Sequence, residues 1–387
     1  MSRVALVAGP DPGHAFPVVA LALALRRRGH DTLVVTGPQW RAGIERDGVE
    51  WCALAALPPD ERHGDFGFRM WGQGQALGPQ VADALGPWRP DLVVADVLST
   101  PGAFAAGLLG LPWVEVQPHP LVAASRALPP PGSGLAPGRG PLGHLRDATL
   151  RRMHARSAAA GDAARRSARR ALGLPEDDPP RARLVATLPA LEPARPDWPA
   201  DAHIVGALEW DPADEELAPP PGDGPLVLVT DSTASGRRAA LLPAAVEGMA
   251  GTEVRIVSTR FAPWDAAVPA GVAIGPGRQA PLLDRAAAVV CPGGHGLLGK
   301  ALTRGVPCVV VPGAGDQKDN AARVARAGAG VVLRPDRLTP ERLRAAVREV
   351  LRDNGYRAAA GRVADSARGL GAGYAGGVVE SVLGASS

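Results

Sequence analysis

The feature that most constrains this chain is an alternation of short apolar runs with longer segments of helical period, and the alternation occurs twice. In the first half the apolar runs lie near residues 4–8, 31–35, 49–54, 91–96 and 112–117. The pattern begins again near residue 226 and continues to about residue 333. Such a pattern predicts parallel sheets covered by helices. We therefore expect an α/β fold with two doubly wound, Rossmann-like domains that face each other across a cleft.

An acidic segment rich in Pro and Gly separates the two alternations. Residues 209–224, EWDPADEELAPPPGDG, have no periodic apolar pattern, which is typical of a linker between domains. A chain of 387 residues is also too long for one ordinary core. We place an N-terminal domain at 1–208, the linker at 209–224 and a C-terminal domain at 225–387, whose last helix can pack back on the first domain.

Composition and charge argue against several classes of protein. A net charge of +3 without a long single-sign run makes nucleic acid a poor partner. No apolar run approaches the roughly 18 residues of a membrane span, and residues 1–9 resemble a first strand more than a signal peptide. The three cysteines, Cys52, Cys291 and Cys308, form neither a disulfide framework nor the spacing of a zinc site. We expect a cytoplasmic protein without a structural metal. Its oligomeric state, monomer or homodimer, stays open.

Two local signals place the polar side chains of the first half. Pro17 at a first-turn position and Gly29 as a stop predict a helix over 17–28, which leaves His14 in the loop after the first strand. Residues 118–141 are rich in Pro and Gly, and so long a loop within a compact domain is usually functional. We expect this loop to overhang the cleft.

His14 and Asp96 are the candidate catalytic residues. In a doubly wound sheet the strand order reverses beside strand 1, so strands 1 and 4 are neighbours and ligands bind beyond their carboxyl ends. His14 follows strand 1 and Asp96 ends strand 4, so we expect them to meet. A histidine held by a carboxylate is a general base. Taken alone, each also fits a structural role, as a solvated loop histidine or a helix-capping aspartate.

A glycine-rich turn in the second half is a candidate phosphate site. It follows the apolar run 287–290, feeds a helix, and contains Gly293, Gly294, His295 and Gly296. Backbone amides and the helix dipole at such a position bind anions. Gly294, Gly296 and Gly299 also satisfy the dinucleotide fingerprint G-x-G-x-x-G, but this match alone is weak because no acid ends the following strand. A dehydrogenase is therefore disfavoured.

Further candidate ligand-binding residues follow neighbouring strands of the second half. Asp316 and Gln317 stand at the start of a helix, where a carboxylate and an amide suit vicinal sugar hydroxyls. Ser232 and Thr233, after the first strand of the second half, are secondary candidates for phosphate contacts. Lys300 is one of only two lysines in an Arg-rich chain, and a compact ammonium suits phosphate oxygens. A surface lysine is the alternative.

An aromatic cluster is the candidate acceptor wall. The stretch 63–75 gathers large side chains among glycines without helical or strand period, and these are Phe66, Phe68, Met70 and Trp71. They could line an apolar acceptor pocket, with His119 near the cleft. An ordinary loop that buries its own aromatics explains the stretch equally well.

With these residues in place, the chain resembles the family 1 glycosyltransferases, the UDP-glycosyltransferase superfamily of GT-B fold, and in particular its actinobacterial natural-product members. The resemblance covers nearly the full length. His14 and the segment DLVVAD that ends at Asp96 are similar to the family's catalytic base and its partner. In the second half, the residues that resemble the family's donor-binding signature are 301–302, 305–307, 312, 316–317 and 320–321.

The resemblance implies an inverting single displacement. A hexose or deoxyhexose would pass from a nucleotide diphosphate sugar, UDP or dTDP, to a hydroxyl, or alternatively a carbon, of a small hydrophobic acceptor. It implies neither a metal nor a cofactor, because the sugar nucleotide is a co-substrate.

The chain departs from the family's usual residues inside the signature. Pro292 stands where a histidine usually touches the diphosphate, Leu297 where Thr is common, and Lys300 where a glutamate usually holds the ribose hydroxyls. Our hypothesis is that Lys300 and His295 take over phosphate contacts. The departures keep a second function open, a catalytically silent homologue that binds a sugar nucleotide and activates a partner glycosyltransferase.

Overall fold

The computed structural model describes residues 1–54, 66–231, 241–260, 264, 267–313 and 315–385, apart from the side chains of 66–68. Within these residues the chain forms two parallel sheets, and apolar clusters cover both faces of each. The two doubly wound α/β units predicted from the alternating pattern are therefore confirmed.

The first sheet lies in the first half of the chain. Its strands are β1 Arg3–Val7, β2 Asp31–Thr36, β3 Glu50–Ala53, β4 Leu92–Asp96, β5 Trp113–Gln117, β6 Ala182–Val185 and β7 Ala202–Ile204. The helices around it are α1 Pro12–Arg27, α2 Arg41–Arg46, α3 Phe66–Leu85, α4 Thr100–Leu109 and α5 Gly140–Ala171. The strand order is β3-β2-β1-β4-β5-β6-β7. Because the order reverses between β1 and β4, a crevice opens beyond their carboxyl ends.

The second sheet repeats this plan. Its strands are β8 Leu226–Val229, β9 Arg255–Thr259, β10 Val272–Gly275, β11 Ala288–Cys291, β12 Cys308–Val310 and β13 Gly330–Val332, in the order β10-β9-β8-β11-β12-β13. The helices that follow are α6 Leu241–Met249, α7 Ala280–Leu283, α8 His295–Thr303, α9 Gln317–Ala327, α10 Pro340–Arg352, α11 Asn354–Ser366 and α12 Ala372–Ala385. Short 3-10 helices lie at Pro38–Trp40, Gly86–Trp88, Pro189–Leu191 and Pro335–Arg337.

The central strands β1, β4, β8 and β11 are mostly apolar and buried because helices cover both faces of each sheet. Val4 and Leu6 of β1 belong to a core with α1, whereas Ala5 and Val7 belong to the core on the other face. The C-terminal helix α12 packs in the first of these cores. Its Glu380 Oε2 lies 2.5 Å from Nη2 of Arg28, the residue that follows α1, and the two side chains form an ion pair. The last helix thus returns to the first sheet.

Helix α1 begins earlier than predicted. Asp11 has extended backbone angles and Pro12 occupies the first turn, where its missing N–H costs nothing, so the helix starts at Pro12. Pro17 lies inside the helix and removes only one donor from it. The prediction that His14 lies in a loop is therefore wrong, because His14 belongs to the first turn of α1.

Helix α3 was missed in the sequence, and the prediction of an irregular stretch over 63–75 is wrong from Phe66 onward. Gly74 and Gly78 hide the periodic pattern because they stand at buried positions where apolar side chains would mark a helix. A Cβ at Gly74 would lie 2.8 Å from Thr100 Oγ1 and 2.9 Å from Phe104 Cδ2. Close approach of α3 to α4 therefore requires glycine at this position.

Two irregular segments lie near the boundary between the sheets. Residues 118–139 contain neither helix nor strand, and the Gly132 and Gly134 N–H groups donate to Asp319 of α9. This loop therefore reaches from the first sheet's half of the chain to the second. Residues 209–224 also lack helix and strand and connect β7 to β8. The predicted domain limits stay a prediction.

Replacing Gly74 by Ala should lower the free energy of unfolding, because the new methyl group meets Phe104, which is only 1% exposed. Overpacking costs about 1–3 kcal/mol, offset in part by the roughly 1 kcal/mol that Ala gains over Gly in a helix. Gly72 of the same helix is the matched control, because a Cβ there meets nothing within 4 Å. Gly72→Ala should raise stability. Urea unfolding measures the free energy of unfolding of both variants. Equal values for Gly74→Ala and Gly72→Ala would contradict the close packing of α3 against α4.

Candidate active site

The candidate catalytic pair lies where β1 and β4 end side by side. His14 stands in the first turn of α1, and Asp96 is the last residue of β4. The His14 Nδ1 lies 2.8 Å from Asp96 Oδ2. The Asp96 side chain is fully buried, whereas the His14 side chain is 21% exposed. The structure thus brings the two predicted residues into hydrogen-bond contact. The tautomer with its proton on Nδ1 leaves Nε2 as an acceptor.

Two further contacts hold the second oxygen of Asp96. The Leu98 N–H donates to Asp96 Oδ1 at 2.9 Å, and Ser99 Oγ donates to the same oxygen at 3.4 Å. These contacts were not predicted. The signal was present, since Ser99 directly precedes the first residue of α4. Because both carboxylate oxygens have donors, the orientation of Asp96, and with it that of the imidazole, is determined.

Opposing effects act on the pKa of His14. Burial is the largest and lowers the pKa, while the charge and hydrogen bond of Asp96 raise it, and the charges of Asp11 and Asp316 raise it further. The net effect is a pKa above the usual 6.5. Asp316 comes from the second half of the chain, so a carboxylate from across the cleft acts on the same imidazole.

Asp316 and Gln317 are neighbours in sequence, but their side chains have different surroundings. Asp316 is exposed, and its Oδ2 accepts a 2.9 Å hydrogen bond from Asn320 Nδ2. Gln317 is 7% exposed, and its Oε1 accepts the Gly313 N–H at 2.8 Å. The carboxylate of Asp316 is therefore available to a ligand. The side-chain oxygen of Gln317 is already hydrogen-bonded to the backbone of the loop that precedes α9. The sugar contacts predicted for the two residues stay a prediction.

The glycine-rich turn forms the start of α8, as an anion site requires. Gly293 has φ +89°, and a Cβ there would lie 2.9 Å from Val310 Cγ1, so only glycine fits. Gly294 is the N-cap and has no side chain that could occupy the N–H groups of the first turn. The backbone N–H groups of the first turn, from His295 and Gly296 onward, have no helical acceptors. They and the helix dipole leave this end suited to a diphosphate.

The side chains of His295 and Lys300, for which phosphate contacts were predicted, are both buried. His295 is 6% exposed, and neither of its ring nitrogens has a hydrogen-bond partner within the described residues. Burial, with the charges of His119 and Arg323, lowers its pKa to about 3, so the ring is neutral. Lys300 is 5% exposed, and its Nζ donates to Asp211 Oδ1 at 2.9 Å. The hypothesis is wrong for Lys300, because its ammonium is buried and already paired with Asp211. The phosphate contact of His295 stays a prediction.

The candidate acceptor residues have varied surroundings. The Trp71 ring is partly buried and lies 6.3 Å from that of Phe104, in a cluster where α3, α4 and α5 meet. Its place in an acceptor wall stays a prediction. The Met70 carbonyl accepts a 2.7 Å hydrogen bond from Thr100 Oγ1. The His119 Nδ1–H donates to the Pro120 carbonyl at 2.9 Å.

Four predicted residues fall outside what is described. Ser232 and Thr233 lie in one of the gaps, and Phe66 and Phe68 lie in α3 without described side chains. Their roles stay predictions.

Other features of the described chain lie apart from His14. A cavity of about 1420 Å³ lies at the amino ends of β5 and β6, beside α12, and is lined by residues that include Trp113, Arg181 and Tyr374. Among the described residues, no helix has the length and apolar character of a membrane span. The same part of the chain contains no cluster of three or more His, Cys, Asp or Glu able to hold a metal ion.

The chain matches known proteins over nearly its whole length. Residues 252–370 match the model described as "Erythromycin biosynthesis protein CIII-like, C-terminal domain". The chain is 30% identical to 4'-demethylrebeccamycin synthase of Lentzea aerocolonigenes over an alignment of 404 positions. The alignment covers 94% of this chain and 95% of that protein. The chain belongs to the family 1 glycosyltransferases. The resemblance seen in the sequence is thereby confirmed.

Solved structures share the GT-B fold of this glycosyltransferase. The glycotransferase of kitacinnamycin superposes with a TM-score of 0.76 at 24% identity and covers 99% of both chains. SsfS6 of Streptomyces sp. SF2575, complexed with thymidine diphosphate, superposes with a TM-score of 0.66 at 21% identity and covers 98% of this chain and all of that one. At these identities the likeness concerns the fold, and it confirms the predicted GT-B architecture.

Asp96→Asn should lower the pKa of His14. The substitution removes the charge that raises this pKa and leaves the burial that lowers it. We expect a lower pKa than in the wild-type protein, measured by NMR titration of the imidazole protons. Ser99→Ala, which removes only the 3.4 Å contact to Asp96, is the control and should change the pKa little. An unchanged pKa in Asp96→Asn would show that the two side chains do not interact in solution.

His295 should make the glycosyltransferase sensitive to acid. Its pKa is about 3 in the folded state against the usual 6.5, so the unfolded chain binds the extra proton. Stability should therefore fall, on the order of a few kcal/mol, as the pH drops from about 6.5 toward 3. His295→Phe should lose this part of the pH dependence in urea unfolding at pH 7.5 and 4.5, whereas His144→Phe, on the exposed surface of α5, should keep it. Identical pH dependence in both variants would exclude a buried neutral imidazole.

Proposed function

We propose that this protein is an inverting glycosyltransferase that moves a hexose or deoxyhexose from UDP or dTDP to a hydroxyl of a small hydrophobic natural-product acceptor. The main support is the 2.8 Å contact between His14 Nδ1 and Asp96 Oδ2. It lies in a crevice where the charge of Asp316, from the second half of the chain, reaches the same ring. His14 acts as the general base, and Asp96 orients it.

The proposed reaction is a single displacement. Because Asp96 accepts the Nδ1–H of His14, the unprotonated Nε2 takes the proton of the acceptor hydroxyl as its oxygen attacks the anomeric carbon. The new C–O bond forms on the face opposite the phosphate, so the configuration at this carbon inverts. The bond from the anomeric carbon to the phosphate oxygen breaks, and its electron pair leaves with the nucleoside diphosphate.

The leaving group is stabilised by the second half of the chain. The free N–H groups at the start of α8, near Gly294 and Gly296, and the helix dipole oppose the negative charge that develops on the diphosphate. Asp316 accepts hydrogen bonds from the sugar hydroxyls. We propose that neither a metal ion nor a cofactor takes part, since these groups supply the electrostatic stabilisation.

The nucleotide of the donor is proposed from a relative. SsfS6, the solved relative with the same fold, binds thymidine diphosphate. This match favours dTDP over UDP for the present enzyme.

His14→Ala should reduce sugar transfer by about 10²- to 10⁴-fold, because the acceptor hydroxyl loses its base. Binding of dTDP or UDP, measured by calorimetry, should not change, because the diphosphate site lies on α8. The purified enzyme is assayed with UDP- and dTDP-sugars against a panel of phenols and alcohols, with nucleotide release as the readout. His144→Ala is the matched control and should keep full activity, since His144 is exposed on α5.

The same assay separates the two candidate functions. Sugar transfer that survives His14→Ala would remove His14 from its assigned role. Nucleotide binding without transfer from any donor would favour the catalytically silent homologue, which needs the α8 site but not the base. The product's anomeric configuration, determined by NMR, decides between inversion and retention.

A further inference from the structure

The linker between the two sheets is anchored rather than free, and its first anchor is in the first domain. Trp210 is 5% exposed. Its ring packs edge-on against Phe16 of α1 with centroids 5.2 Å apart, and its Nε1 donates to Asp47 Oδ2 at 2.7 Å. A Cβ at Gly43 of α2 would lie 3.1 Å from the Trp210 ring, so the indole fills its pocket closely.

The next residue of the linker is anchored in the second domain. Asp211 Oδ1 accepts the 2.9 Å hydrogen bond from Lys300 Nζ, and its Oδ2 accepts the Ala280 N–H at 3.1 Å. The Lys300 and Asp211 side chains are only 7% and 14% exposed. Lys300 Nζ also lies 3.4 Å from the Trp210 carbonyl and 3.4 Å from Gln279 Oε1. The ammonium therefore has three acceptors, and a buried charge of this kind keeps its partners.

A second ion pair lies one turn further on, at Arg304, the residue that directly follows α8. Arg304 Nη1 lies 2.9 Å from both carboxylate oxygens of Glu209, the residue before Trp210. Lys300 and Arg304, at positions i and i+4 of one helical face, thus bind the acidic residues on either side of the indole. The linker is held to α8 by charge and to α1 by packing.

These anchors join the two helices that carry the proposed chemistry. Phe16 is two residues from His14 in α1, and Lys300 belongs to α8, whose first turn presents the anion site. One peptide bond connects the indole anchored on α1 to the carboxylate anchored on α8. Both side chains are held by contacts with little exposure to solvent, and this short connection limits the separation of the two helices.

We propose that Trp210, Asp211 and Lys300 are positioning residues that set the distance between the general base on α1 and the diphosphate site on α8. This inference rests on the proposed function. It gives the cation at position 300 a task that the sequence did not reveal, because its charge acts on the linker and not on phosphate. An error of about 1 Å in such a separation can cost about a hundredfold in rate.

The test uses a charge-free pair, because a single substitution would leave one buried charge unpaired and could prevent folding. Asp211→Asn with Lys300→Met removes both charges and keeps the side-chain volumes. We expect kcat to fall 10- to 100-fold while the Kd for dTDP changes less than threefold. The matched control is Glu192→Gln with Arg323→Met, a second pair between distant segments with an N–O distance of 2.8 Å and side chains 7% and 13% exposed. It is not joined to α1, and its kcat should stay within threefold of wild type.

A distance measurement tests the inference without activity. Nitroxide labels at Ala159→Cys on α5 and Ala345→Cys on α10, both exposed positions, report the separation of the domains by double electron–electron resonance. Cys52→Ser removes the one partly exposed native thiol among three. The distance distribution should broaden in the Asp211/Lys300 double variant and keep its wild-type width in the Glu192/Arg323 double variant.

The outcomes separate the two proposals. A wild-type enzyme without transfer activity would overturn the proposed function, while a broadened distribution would still support the positioning role of the linker. An unchanged distribution in the Asp211/Lys300 variant would overturn that role. Equal losses of kcat in both double variants would also overturn it, since the effect would then be general loosening of the domain contact.

Discussion

The hydrogen bond between His14 and Asp96 is the interaction on which the rest of the site depends. It forms because β1 and β4 run side by side in parallel register, with Val7 opposite Ala95, so that Asp96 follows directly at the edge of the crevice. The early start of α1 turns the imidazole back toward that carboxylate. Burial alone would lower the basicity of the ring, and the buried partner reverses this effect. The apolar strands thus supply both the position and the electrostatics of the candidate base.

The first domain of the glycosyltransferase supplies two side chains to the site, whereas the second domain supplies backbone groups. The anion site that we propose there consists of backbone N–H groups and a helix dipole, which need no charged side chain. Such a site does not depend on the side chains in which the chain departs from the family's usual signature. The charged side chains near α8 serve the contact between domains instead, where Lys300 and Arg304 bind the acidic linker.

Sequence patterns predicted the elements better than their surroundings. The five strands predicted in the first half were placed within one residue, because apolar runs between turn signals record burial on both faces of a sheet. Helix α3 was missed because the buried positions 74 and 78 are glycines, where apolar residues would have marked a helical period. The beginning of α1 was missed because Pro17, a frequent first-turn residue, lies in its interior, whereas Pro12 occupies that turn.

What the sequence by itself determined is the pair of doubly wound domains and the meeting of His14 with Asp96, because strand order in such sheets follows from the handedness of the connections. What only the tertiary structure decided is which polar side chains are free to bind a ligand. Lys300 finds its partner 89 positions away in the linker, and Gln317 turns into its own loop. A local pattern records the element to which a residue belongs, but its partners and its burial depend on segments that are distant along the chain.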